Sequence, residues 1–145
     1  MATHFSLTVP RLARTDSNGF VLSPFGEPWK FAQSNAALSK RTYPVELGAP
    51  WRNEFTYKVQ LPPGVALSDA PATVSKTSPF GSYELVMKPS NDGFVVTGHV
   101  SFAVDKVTPD QYDAFRAFLE EVDRTFSRQM HLSTATASIS PEASR

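Results

Sequence analysis

The sequence contains no cysteine in its 145 residues. This absence excludes disulfide bonds, thiolate metal sites and cysteine nucleophiles, and it leaves the redox compartment of the protein open. An excess of one charge is also missing, because 14 Lys and Arg residues balance 14 Asp and Glu residues. Nucleic acids and anionic membranes both select a basic surface, so we expect neither of them as a partner.

Long apolar runs are missing as well. No run approaches the roughly 20 apolar residues that span a bilayer, so membrane insertion is not expected. The first residues, MATHFSLTVPRLAR, lack the basic segment and the following apolar segment of a signal peptide. Phe5, Leu7 and Val9 instead alternate with polar residues from the start, which predicts a strand at 5–9 and is how a domain taken from a longer chain would begin. The sequence is equally compatible with a fragment and with a stand-alone domain.

Motifs for common chemistries are also absent. There is no P-loop, no G-x-G-x-x-G and no G-x-S-x-G, and His4, His99 and His131 stand at no metal-ligand spacing. Glu120 and Glu121 are adjacent on a predicted helix and point apart, which suits a solvated face better than an acid–base pair. We therefore expect no catalytic, cofactor or metal site. A hydrolase would need a Ser or Asp within hydrogen-bond reach of His99.

The residues that are present suit a packed β domain. Hydrophobic residues make up 41% of the chain, with 11 Phe, 4 Tyr and 2 Trp, while 12 Pro and 7 Gly interrupt short segments. Apolar residues alternate at 55, 57, 59 and 61, and again at 94, 96, 100, 102 and 104. Such a period of two predicts half-buried strands. PSNDG at 89–93 predicts a hairpin loop between the second of these strands and the alternating apolar residues at 83, 85 and 87. Residues 27–40 show no clear period, and we expect a short strand followed by a loop there.

Near the C-terminus the apolar period changes to about 3.6 residues. Thr108 and Gln111 form a capping-box pattern, with Pro109 at the first helical position. The residues that follow place one apolar stripe along a helix: Tyr112, Phe115, Leu119, Val122 and Phe126. We predict a helix over about 109–129 that packs on a sheet. The expected fold class is mainly β, an antiparallel β-sandwich with one C-terminal α-helix, in a single domain over 1–133 with a flexible tail over 134–145.

The letters SPFG occur twice, at 23–26 and at 78–81. Aligning the two copies leaves no match in the flanking residues, which argues against an internal repeat. Each copy has the chemistry of a turn, because Pro presets φ at the second position while Ser begins and Gly closes a type I turn. We expect two independent turns.

Three large aromatic residues stand outside the periodic segments. Trp29, Tyr43 and Trp51 lie beside prolines in stretches predicted to be irregular, and Arg52 follows Trp51. Exposed and coplanar rings could stack on a sugar or anchor a protein partner, whereas buried rings would close the ends of the sandwich. These four residues are the candidate contacts of a carbohydrate- or peptide-binding module.

Four short motifs occur in a characteristic order. They are R-x-x-P at Arg41–Pro44, LP-x-G at Leu61–Gly64, S-x-FG at Ser78–Gly81, and P-x-x-Y-x-x-F-R-x-F at Pro109–Phe118. With these motifs, residues 4–133 resemble the C-terminal β-domain that follows the transglutaminase-like core of large bacterial proteins, a domain of unknown function. The motifs are turns and packing residues, so the resemblance concerns the fold more than any activity.

The resemblance implies a non-catalytic role for this chain. A transglutaminase-like core works through a Cys-His-Asp triad, which a chain without cysteine cannot supply. The resemblance therefore implies an accessory domain without a cofactor, which packs on or orients the upstream core of the same parent chain. Parents of this kind are often exported, which implies the periplasm or the cell envelope.

Overall fold

The computed structural model describes residues 13–16, 19–23, 29–68 and 73–134. The strand expected at residues 5–9, the turn of the first SPFG and the tail beyond Thr134 lie outside the described residues. Within the described ranges the elements follow one another along the chain as β1 (Ala13–Asp16), β2 (Gly19–Leu22), α1 (Phe31–Asn35), β3 (Val45–Glu46), β4 (Trp51–Gln60), β5 (Val65–Leu67), β6 (Val74–Ser78), β7 (Gly81–Ser90), β8 (Gly93–Phe102), β9 (Lys106–Val107), α2 (Tyr112–Phe126) and β10 (Met130–Thr134).

These strands form two four-stranded antiparallel sheets and one short pair. The main sheet has the strand order β4-β8-β7-β6, the second sheet has the order β1-β2-β10-β5, and β3 pairs with β9. Of the described residues, 49% are in strands and 21% in helices. The predicted fold class is therefore confirmed: the chain is mainly β, with antiparallel sheets and one C-terminal helix.

The long hairpin of β7 and β8 gives the main sheet one apolar and one polar face. Its tight turn at Asn91 and Asp92 sets a register in which Tyr83 lies opposite Val100. Alternate residues of both strands point to the same side, where they are buried. This inner face carries Tyr83, Leu85, Phe94, Val96, Val100 and Phe102.

The predicted C-terminal helix is confirmed. A 3-10 turn over Pro109–Gln111 leads into α2, and the hydroxyl of Thr108 donates a hydrogen bond to Oε1 of Gln111 at 3.0 Å. The helix ends at Phe126 and not at 129, since the chain must extend again to form β10 from Met130. The buried residues of α2 contain the whole predicted stripe: Tyr112, Phe115, Phe118, Leu119, Val122, Thr125 and Phe126.

Helix α2 covers the inner face of the main sheet. The ring of Phe115 lies 5.4 Å from that of Phe80 and 6.3 Å from that of Phe102. The second sheet adds Leu22, Met130 and Leu132 to the same core cluster. One hydrophobic core thus joins both sheets and the helix. No helix in the described part of the chain is long and apolar enough to cross a membrane.

The expectation of a strand within residues 27–40 is wrong, because the chain forms the short helix α1 there. Lys30 adopts a left-handed conformation with φ of 57°, and the helix begins directly after it. The amide groups of Phe31 and Ala32 donate to the two carboxylate oxygens of Asp123, at 2.8 and 2.9 Å. A carboxylate of α2 therefore satisfies the first amides of α1, which a local sequence pattern cannot reveal.

Candidate functional site

The two tryptophans meet at one end of the main sheet, in a cluster that we call the aromatic end (Trp29, Phe31 and Trp51). Trp29 stacks on Phe126 with a centroid distance of 4.8 Å and an interplanar angle of 9°. Its ring also meets Phe31 edge to face at 5.4 Å. One face of the Trp29 ring is therefore covered by the C-terminal turn of α2, and the residue is only partly exposed.

Trp51 is not in an irregular stretch, because it is the first residue of β4 and lies opposite Phe102 of β8. Its ring packs 4.8 Å from Phe102 and 5.9 Å from Phe31, and 36% of the residue remains exposed. Phe31 thus connects the two tryptophans. The interplanar angles of Trp51 to Phe102 and Phe31 are 52° and 34°, so these rings do not form a flat platform.

Arg52 points away from the aromatic end, because successive residues of a strand project from opposite faces. Its Nε donates to Oε1 of Glu54 at 2.6 Å on the outer face of the main sheet. The structure therefore brings Trp29 and Trp51 together and separates Arg52 from both.

Tyr43 lies in a segment between α1 and β3 that we call the 38–43 loop (residues 38–43). It is 77% exposed, and Leu38 at the start of the same loop is 53% exposed. The carbonyl of Leu38 accepts hydrogen bonds from the hydroxyl of Tyr112 at 2.8 Å and from Nη1 of Arg116 at 3.3 Å. The guanidinium of Arg41 lies 5.9 Å from the centre of the Tyr112 ring. Helix α2 therefore holds this loop in place while two large apolar side chains face solvent.

A polar cluster that the sequence reasoning missed lies on the outer face of the main sheet. It consists of Ser82 and Glu84 on β7 and His99 and Ser101 on β8, which we call the polar cluster. The register places Ser82 opposite Ser101 and Glu84 opposite His99. The sequence does carry a signal for this cluster, because its polar residues are two positions apart in each strand, on either side of the PSNDG turn. This spacing places the residues of the two strands opposite each other once the register of the hairpin is known.

The polar cluster has the order of groups found in serine hydrolases. Ser82 Oγ lies 3.2 Å from Nε2 of His99, and Nδ1 of His99 lies 3.9 Å from Oε2 of Glu84. Ser82 Oγ also lies 3.0 Å from Oγ of Ser101, and the amide of Ser82 donates to that same oxygen at 3.2 Å. Both strands are internal, with a neighbour on each side. Their amides are therefore used by the sheet and by Ser101, and none of them is placed to stabilise an oxyanion.

A second cluster of polar and charged side chains connects β6, β7 and α2. Glu121 accepts a hydrogen bond from the hydroxyl of Tyr83 at 3.0 Å and forms an ion pair with Lys76. The hydrogen bond from Lys76 lowers the pKa of Glu121, and burial raises the pKa of Tyr83. The described residues contain no cluster of three His, Cys, Asp or Glu side chains that could hold a metal ion.

Comparison with known families decides the family of the chain. Residues 18–132 match the DUF3858 family, which is described as a domain of unknown function with a solved structure. The chain belongs to the DUF3858 family. No functionally curated protein matches the sequence.

The DUF3858 chain also matches a solved structure, the crystal structure of a "putative protease" from Parabacteroides distasonis ATCC 8503. The match has a TM-score of 0.62 and 22% sequence identity, and it covers 77% of this chain. At this identity the match concerns the fold alone. This chain spans only 22% of that protein, so the same fold occurs there as one part of a much longer chain.

Proposed function

We propose that this DUF3858 domain is a non-catalytic accessory domain of a larger bacterial transglutaminase-like protein, in which it packs on or orients the catalytic core. The observation that carries the proposal is the occurrence of the same fold as 22% of a longer chain, which is described as a protease. The lack of cysteine adds support, because the catalytic triad must then belong to another part of the parent protein.

The 38–43 loop is the surface that we assign to this contact. Large apolar side chains exposed on an ordered segment are typical anchors of protein interfaces. Leu38 and Tyr43 meet that description, because α2 already fixes the loop through Tyr112 and Arg116. Docking the core there would cost little ordering entropy, since the backbone of the loop is in place beforehand. The partly exposed ring of Trp51 is a further candidate contact.

Binding of this domain to the isolated upstream core of its parent chain tests the proposal. Calorimetric titration should show saturable binding, and Tyr43→Ala together with Leu38→Ala should weaken it by about tenfold or more, as expected for the loss of interface anchors. Lys88→Ala is the control, because it truncates an exposed side chain on β7, outside the loop. Absence of binding, together with unchanged stability of the core when the domain is deleted from the parent, would overturn the proposal.

The polar cluster is assigned a structural role in the same proposal. The two serine hydroxyls and Nε2 of His99 are all hydrogen-bonded when Nε2 of His99 donates to Ser82, Ser82 donates to Ser101, and Ser101 donates to the carbonyl of Ser82 at 3.3 Å. In this arrangement His99 is a donor to the serine and not its base. The cluster then acts as a cross-strand network that stabilises the hairpin of β7 and β8.

A hydrolysis assay with p-nitrophenyl acetate separates the structural role from a catalytic one. The wild-type domain and Ser82→Ala should release p-nitrophenol at the same rate, since no general base acts on Ser82. Thr97→Ala on the same face of β8 is a control for any change in folding. A rate in the wild type more than about tenfold above that of Ser82→Ala would contradict the non-catalytic proposal.

A further inference from the structure

Strand β4 forms one edge of the main sheet, with β8 as its neighbour among the described residues. Its backbone groups alternate between the two sides, because every second residue of an antiparallel strand bonds to the same neighbour. The amide of Leu61, just beyond β4, donates to the carbonyl of Asp92 at 2.8 Å. By alternation, the odd-numbered residues of β4 bond to β8 in the registered pairs, and the even-numbered residues direct their amides and carbonyls outward from the edge.

The same even-numbered residues carry the outer-face side chains of β4. All of them are exposed: Arg52, Glu54, Thr56, Lys58 and Gln60. Edge strands commonly carry charges that discourage pairing with other chains. The charges along β4 are arranged differently, because Lys58 follows Glu54 by four residues on the same face. Two antiparallel copies of this strand can therefore place opposite charges across from each other.

We propose that the β4 edge pairs antiparallel with the β4 edge of a second copy of this chain, about a two-fold axis at Thr56. The outward hydrogen bonds join an even-numbered residue of one copy to an even-numbered residue of the other. The two-fold axis must therefore lie at a residue of β4 and not between two residues. An axis at residue 54 or 58 brings a residue opposite its own copy of like charge, and an axis at 55 places Arg52 opposite the partner's Lys58. An axis at 57 pairs no opposite charges. An axis at 53 pairs Arg52 with the partner's Glu54, but it overlaps only residues 51–55 of β4, whereas an axis at 56 overlaps residues 52–60.

The axis at Thr56 pairs the charges of both chains twice. Glu54 faces Lys58 of the partner subunit, and Lys58 faces the partner's Glu54. Arg52, which already bonds to Glu54, faces the partner's Gln60. On the inner face Phe55 comes opposite the partner's Tyr57, and aromatic pairs of this kind contribute to cross-strand stability. The two main sheets then continue into one sheet across the dimer.

Sedimentation velocity over a concentration series, up to about 1 mM protein, tests this dimer through a charge swap. The wild type should shift from monomer to dimer as its concentration rises. Lys58→Glu places like charges opposite each other and should raise the dissociation constant about tenfold or more. The double variant Glu54→Lys with Lys58→Glu restores opposite charges in the same register, so dimerisation should return to within a few-fold of the wild type.

Lys88→Glu is the matched control, since it makes the same change of charge at an exposed position of β7, away from the edge. It should leave the dissociation constant unchanged. A wild type that stays monomeric would overturn the proposal, as would failure of the double variant to recover or an equal loss in Lys88→Glu. None of these variants alters the 38–43 loop, so this outcome and the test of core binding are independent of each other.

Discussion

Phe115→Ala is expected to lower the free energy of unfolding by about 3–5 kcal/mol. The Phe115 side chain is fully buried, with 0% exposure, and its ring packs against Phe80 and Phe102. Truncation removes the transfer free energy of the ring and leaves a cavity between α2 and the main sheet. Many domains have only about 5–15 kcal/mol of stability in total, so this variant should be close to unfolding at physiological temperature.

Denaturant unfolding followed by circular dichroism measures this effect. Tyr43→Ala is the control, because its side chain is 77% exposed and its truncation should change stability by no more than about 0.5 kcal/mol. Arg116 is a poorer control than its place on the polar face of α2 suggests, since it bonds to both Glu120 and the carbonyl of Leu38. Equal midpoints for Phe115→Ala and Tyr43→Ala would mean that α2 does not dock through this stripe.

Gly81→Ala should destabilise the fold by about 3 kcal/mol or more. Gly81 closes the second SPFG turn, in which Ser78 lies opposite Gly81 and the hydroxyl of Ser78 donates to the Gly81 carbonyl at 3.2 Å. A Cβ at Gly81 would meet the carbonyl oxygen of Ser101 far inside van der Waals contact and would lie 3.1 Å from the Cα of Phe102. Its φ of +157° is also strained for an L residue.

Gly48→Ala separates the two causes of this loss. Gly48 has a φ of +81°, but no atom lies within 4 Å of the position that a Cβ would take. Only the dihedral strain remains there, which should cost about 1–2 kcal/mol. Thermal or denaturant unfolding of both variants should therefore show a clearly larger loss for Gly81→Ala. Similar losses of stability would mean that the short distance between Gly81 and the backbone of β8 does not exclude a side chain at position 81.

Much of the fold could be predicted because it rests on local periodicity. The stripe from Tyr112 to Phe126 defines a helix that needs an apolar surface to cover it, and the alternation in β8 defines a strand with one buried face. The register of β7 and β8 follows from the tight turn between them. In each case the residues that decide the element are close together in the sequence.

The candidate site could be predicted only as a set of residue types. Trp29, Tyr43 and Trp51 stood out as large aromatic residues outside the periodic segments, but their surroundings depend on partners far along the chain. Trp29 stacks on Phe126, whereas Tyr43 remains exposed on a loop held by α2. Ser82 and His99 could each be seen in the sequence, and only the strand register brings Ser82 to within 3.2 Å of His99.

The sequence by itself determined the class of the fold, its C-terminal helix and the long hairpin, since these follow from patterns that repeat every two or 3.6 residues. The tertiary structure alone decided the conformation of residues 31–35 and the start of β4 at Trp51. The amide of Phe31 bonds to Asp123, 92 residues away, and Trp51 is extended because it pairs with Phe102. Contacts between such distant residues form only when the chain has folded, so no local pattern carries them.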